Sequence, residues 1–134
     1  MSREIKFRSW DKILKIMCYN PVNAINFNGQ FLLNDGKFHD INKTDYILMQ
    51  YTGLKDKNGK EIYEGDILKH IPAFEANYFV KYLTGGFYLC PDNKDYGEYF
   101  ASLFAGYDYK NRCNSIEIIG NIYENPELIG DKND

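Results

Sequence analysis

Between Met49 and Leu68 the sequence reads MQYTGLKDKNGKEIYEGDIL, and its middle, Asp56-Lys57-Asn58-Gly59, favours one event: a reversal of the chain. Asn tolerates the left-handed region of backbone space and Gly enters it without a Cβ penalty, so Asn-Gly between hydrophobic runs marks a β-hairpin. Met49, Tyr51 and Leu54 supply the apolar positions before the turn. Ile62 and Tyr63 follow it, then a second turn at Glu64-Gly65-Asp66, then Ile67 and Leu68. The stretch predicts strand, turn, strand, turn, strand, with short antiparallel strands. A calcium loop is excluded by spacing. A helix-loop-helix calcium loop needs Gly at its sixth position and Glu at its twelfth, whereas Gly59 stands fourth from Asp56.

With 134 residues, the chain is one domain of ordinary size, or one domain with a small lobe attached. Aromatic residues make up 16%, with 12 Tyr and 9 Phe against a single Trp, and this favours strands. The net charge of −3 argues against a protein whose main partner is bulk nucleic-acid phosphate, while leaving room for a local basic patch. Cys18, Cys90 and Cys113 are odd in number and form no CxxC pair, which argues against a disulfide framework and a zinc site. They read as reduced, mostly buried thiols in a reducing cytosol. No stretch approaches the roughly 18 consecutive apolar residues of a membrane span. MSREIKFRSW carries charges where a signal peptide needs its apolar segment. The expected location is cytoplasmic.

Along the chain, Arg3 to Trp10 alternates as a strand, with Ile5 and Phe7 inward and Glu4, Lys6, Arg8 and Trp10 on the other face. Asp11-Lys12 offers a turn, and Ile13, Leu14, Ile16 and Met17 begin a second strand running toward Tyr19. Asn28-Gly29 and Asn34-Asp35-Gly36 are further turn signals, and His39 to Asp45 reads as a connection. Pro72 forbids a central strand from continuing through it. Tyr78 to Leu83 and Phe87 to Leu89 flank a turn at Gly85-Gly86. Glu98 to Tyr107 suits a short helix or a strand equally. Ile116 to Tyr123 alternates as a final strand, in which Gly120 marks a bulge or a close backbone approach. His39 and His70 have no second ligand near them in sequence, and no Gly-rich phosphate loop or GxSxG is present, so no cofactor or metal is expected.

Three blocks, REIKFRSWDK (Arg3 to Lys12), MQYTGLKDKNGKEIYEGDIL and IEIIGNIYENPEL (Ile116 to Leu128), resemble the YopX family, small proteins encoded by phages and prophages of low-GC Gram-positive bacteria. Their order matches too, and together they cover about a third of the residues and anchor both ends. The matching positions are Phe7, Arg8, Trp10 and Asp11; Tyr51 to Leu54, Asp56, Gly59 and Ile62 to Asp66; and Gly120, Asn121 and Glu124. The resemblance implies a phage accessory protein with a β-rich C-terminal region and leaves self-association open. It implies no reaction and carries over no catalytic residues.

The expected fold is mainly β, β-rich α+β at most. Residues 1–47 form an N-terminal hairpin lobe, 48–129 a strongly bent sheet or SH3-like barrel, and 130–134 a tail, with one or two short helices. Three functions compete. The first is a binding or assembly module for a host or phage protein, for which exposed Tyr and Trp would serve as anchors. Trp10 stands here either as core or as contact. The second is a small nucleic-acid-binding β-barrel, with Lys55, Lys57 and Lys60 as its basic cluster. The third is an enzyme using Glu61, Glu64 and Asp66. In a strand, positions 64 and 66 share a side and 61 does not, and Asp66 reads better as a turn residue accepting backbone hydrogen bonds. The chain is therefore expected not to be an enzyme. The binding candidates are Trp10, Tyr51, Lys55, Lys57, Lys60, Tyr63, Glu64 and Asp66.

Overall fold

A computed structural model describes residues 4–40, 44–70, 77–83, 86–90, 98–99 and 112–129. Among these residues strand takes 59% and helix 4%, so the fold is mainly β, with a strongly curled half-barrel sheet. The chain divides into two compact units, Met1–Tyr51 and Thr52–Asp134.

Unit 1 begins with β1 (Phe7–Asp11) and β2 (Ile16–Tyr19), continues through β3 (Val22–Ile25), β4 (Phe31–Leu33) and β5 (Phe38–His39), and ends in the first part of β6 (Tyr46–Lys55). β1 lies between β2 and β6, antiparallel to both, with Trp10 opposite Met17 on one side and Ile47 on the other. β3, β4 and β5 form a second antiparallel sheet. The Phe7 and Phe31 rings meet edge to face at 6.0 Å, which joins the two sheets.

Two features of this region depart from the alternation. Ile5 is 64% exposed and precedes β1, while Arg8, Ser9 and Trp10 are all buried. The reason is position: β1 is a central strand whose two faces are both covered, so an inside-outside alternation does not apply to it. Ile13 and Leu14 sit exposed in the β1–β2 turn rather than in β2. The Asp11 carboxylate closes that turn by accepting from the Ile13 and Leu14 N–H groups, both at 2.9 Å.

Unit 2 contains the rest of β6, then β7 (Glu61–Tyr63), β8 (Asp66–His70), β9 (Asn77–Leu83), β10 (Gly86–Cys90), β11 (Glu98–Tyr99) and β12 (Ile116–Asn121). The only helix among the described residues is a 3-10 turn at Pro126–Ile129. The five-stranded sheet has the order β11-β10-β9-β8-β12. Neighbouring residues on its strands bury opposite ways. Ile62, Leu68, Val80, Leu89, Cys113 and Ile116 form one core, and Ile67, Phe79, Cys90 and Ile129 the other. Each Ile, Leu, Val or Phe among them contributes about 1.5–3 kcal/mol when fully buried. Two-sided burial explains why the strands read as apolar pairs rather than as clean alternation. Of Glu98 to Tyr107, Glu98–Tyr99 is strand and the remainder lies outside the described residues, as do Pro72 and the tail.

Three hairpin turns share one geometry. In Asn26–Gln30, Leu33–Lys37 and Asp56–Lys60 the first and last residues pair through the backbone, and the fourth, Gly, donates back to the first carbonyl. The three glycines have φ of 77°, 82° and 82°, where an L side chain is strained. Gly120 is needed for a different reason. The β8–β12 register shifts between Ile118 and Gly120, as a bulge does, and a Cβ on Gly120 would lie 2.5 Å from Asn125 Oδ1. That oxygen accepts from the Asn121 N–H at 3.2 Å.

Gly120→Ala is expected to cost about 1–3 kcal/mol in urea unfolding. Adding Asn125→Ala should recover part of that cost, because it removes the colliding side chain. Asp56 is buried and accepts three backbone N–H bonds, from Asn58, Lys60 and Ile118. Asp56→Ala is expected to cost about 3 kcal/mol or more, and Asp56→Asn, which keeps an acceptor, about half that. Equal costs for the two would show that the lost acceptors are not what matters.

Candidate functional site

The central turn is built as a structural joint. Asp56 Oδ1 accepts from Asn58 N at 2.8 Å and Lys60 N at 2.9 Å, while Oδ2 accepts from Ile118 N at 3.1 Å. The Lys57 N–H reaches the Ile116 carbonyl at 2.8 Å, and the Cys113 N–H reaches Lys55 O at 2.7 Å. The second turn is equally committed. Asp66 Oδ2 accepts from Tyr63 N at 2.8 Å, Gly65 N donates to Val80 O, and Gly65 O accepts from Ile122 N.

Of the sequence-derived candidates, Trp10, Tyr51, Tyr63 and Asp66 are buried in the chain's interior, at 6%, 4%, 2% and 3% exposure. Glu64 and Lys55 are half-buried, and Lys57 and Lys60 are exposed at the hairpin tip. The fold brings Tyr63, Glu64 and Asp66 together in one turn and leaves Trp10 in unit 1. The Tyr63 hydroxyl donates to Glu61 Oε1 at 3.2 Å. Asp66 serves the turn, as its place after Glu-Gly implies. Among the described residues no group of three His, Cys, Asp or Glu side chains is placed to hold a metal ion, and no helix is long and apolar enough to cross a membrane.

Unit 1 holds a cavity of about 170 Å³ between its two sheets. Ser9, Asp11, Cys18 and Tyr46 line it from the β2-β1-β6 side, and Asn34 and Asp35 from the β4–β5 turn. Cross-strand pairing explains the first set. Ser9 stands opposite Cys18, and Asp11 opposite both Ile16 and Tyr46, and directly opposed residues share a face. Asp35 is fixed by the Lys37 N–H at 2.9 Å and by His39 Nε2 at 2.8 Å. The Lys37 N–H, and after it His39, hold its carboxyl below the ordinary 3.8. Burial raises the Tyr46 hydroxyl above its ordinary 10.0, and the negative charge of Asp11, Asp35 and Asp45 raises it further. The Tyr46 ring meets His39 edge to face at 5.3 Å.

The surface of unit 1 carries apolar side chains. Ile5, Ile13, Leu14, Ile16, Tyr19, Ile25, Phe27 and Phe38 are exposed there, whereas Tyr82 alone is so in unit 2 among the described residues. Phe27 is fully exposed, at 109% of its reference area. It sits at the tip of a turn that its neighbour locks: Asn26 Oδ1 accepts from Asn28 N at 2.9 Å and Gln30 N at 3.0 Å, and Asn26 Nδ2 donates to Gln30 Oε1 at 2.9 Å. Phe27 is absent from the sequence-derived candidates, although the signal was present. In Asn-Phe-Asn-Gly the second residue occupies the tip of the hairpin and has nothing to pack on.

Comparison with known proteins places the chain. Residues 6–130 match the family of the YopX protein. No curated protein matches significantly. The crystal structure of protein EF1440 from Enterococcus faecalis is similar at 29% identity and a TM-score of 0.62, over 96% of this chain and 99% of that one. The X-ray structure of protein yopX from Bacillus subtilis is similar at 24% identity and a TM-score of 0.56, over 92% and 96% of the two chains, a likeness of fold. With the family match extending over nearly its whole length, this chain belongs to the YopX family.

Proposed function

We propose that this protein is a phage-encoded accessory protein that acts without catalysis, in the host cytoplasm, as a binding module for a host or phage protein. The observation that carries the reading is Phe27: a large apolar ring, fully exposed, on a turn held by three side-chain hydrogen bonds. An aromatic side chain on a held turn has only two torsions to fix when it enters a partner's pocket, and aromatic residues recur among interface hot spots. The remaining exposed apolar residues of unit 1 supply further contact area. Trp10, Tyr51 and Tyr63, buried in the chain, contribute to such a surface only by supporting it. The alternative, nucleic-acid binding, draws on Lys57 and Lys60 at the central hairpin tip, against a net charge of −3.

Phe27→Ser is expected to leave stability within about 0.5 kcal/mol of the parent, as a surface substitution does. It should also weaken partner capture by on the order of tenfold or more. Tagged parent and variant chains are used as bait in host lysate, with and without nuclease. A protein retained after nuclease by the parent and lost by the variant supports the reading. Recovery of nucleic acid alone, abolished by digestion and by high salt, overturns it in favour of the alternative. Light scattering covers self-association: a mass that falls on Phe27→Ser would assign the surface to a second copy and overturn the reading of a foreign partner.

A further inference from the structure

The geometry points to the unit 1 cavity as a binding site for a small organic cation, an ammonium or amidinium group on a short apolar body. This goes beyond the protein-partner reading and does not depend on it. The charged side chains lining the cavity are the carboxylates of Asp11 and Asp35, and no Lys or Arg lines it. Each carboxylate is held in place by backbone donors: Asp11 by Ile13 and Leu14, Asp35 by Lys37. The site is therefore preorganised rather than assembled on binding.

A second observation comes from the floor. Ser9 is 2% exposed and lines the cavity, and its hydroxyl has no hydrogen-bond partner among the described residues. Ser9 Oγ keeps its access to the cavity, so its hydrogen bond falls to whatever occupies that space. An N–H of the cation would meet its oxygen lone pairs. The opposite wall is already committed: Asn34 donates to Cys18 Sγ at 3.8 Å and accepts from Asn23 Nδ2 at 3.2 Å. Ile16, Pro21 and Leu33 complete the lining and offer the apolar contact a hydrocarbon body needs. The volume has room for on the order of ten water-sized groups, which suits a small amine.

The test uses the full chain, isotope-labelled, with benzylammonium as the probe and benzyl alcohol and benzoate as neutral and anionic controls of the same shape. Backbone amide shifts are followed by NMR. The expected result is saturable shifts at Ser9, Asp11, Cys18, Asp35 and Tyr46 with benzylammonium, at least tenfold weaker binding of benzyl alcohol, and none of benzoate. Asp11→Asn and Asp35→Asn keep an acceptor for the turn N–H groups, so the fold is expected to survive, and each should weaken benzylammonium binding by about tenfold. Equal binding of benzyl alcohol, shifts confined to other residues, or no saturable shift with benzylammonium would overturn the proposal.

Discussion

The buried carboxylate of Asp56 is the joint on which unit 2 depends. One oxygen closes the hairpin between β6 and β7, and the other reaches Ile118, 62 residues away in sequence. A single charged group thus fixes a local turn and a long-range register together. Around it, the Lys57 and Cys113 N–H groups bond to Ile116 and Lys55 carbonyls, so the start of β12 is tied down before its apolar residues meet the core. A buried carboxylate is tolerable here because backbone N–H dipoles surround it, which replaces the water it lost.

The same device recurs at smaller scale. Asp11, Asn26, Asp35 and Asn121 each accept backbone N–H bonds from residues two to four further on. Short strands contribute few ladder bonds each, so the side chains that close their turns carry an unusual share of the order. This also shapes the surface. A turn held by its own Asn or Asp does not need the tip residue for packing, and at Asn26–Gln30 that tip is Phe27. An apolar ring is thereby held in water, where it is available to a partner. The carboxylates that close two of the unit 1 turns, Asp11 and Asp35, also line the cavity there.

Turn chemistry made much of this legible from the chain alone. Asn28-Gly29, Asp35-Gly36 and Asn58-Gly59 announce their hairpins because Gly and Asn reach backbone conformations that other residues avoid, a preference that acts over four or five residues. Gly120 announced its bulge, while the neighbour that crowds it is a side chain, Asn125, rather than backbone. Ile5 is exposed rather than inward, and Trp10 was legible only as core or contact, because alternation assumes one wet face, and β1, flanked by β2 and β6 with a second sheet over one side, has none. The cavity was invisible for a similar reason. Ser9, Asp11, Asp35 and Tyr46 are spread over 38 residues of chain, and only pairing between strands gathers them.

By itself the sequence determined the mainly β class, the positions of the main turns and the family, because backbone preferences are local and the three family blocks are contiguous in the chain. Tertiary structure alone decided that Trp10, Tyr51 and Tyr63 are interior, that Phe27 stands free, and that two carboxylates and the Ser9 hydroxyl line one cavity. Burial depends on which strands become central and which loops cover them. That is settled by non-local pairing, and no short window of sequence contains it.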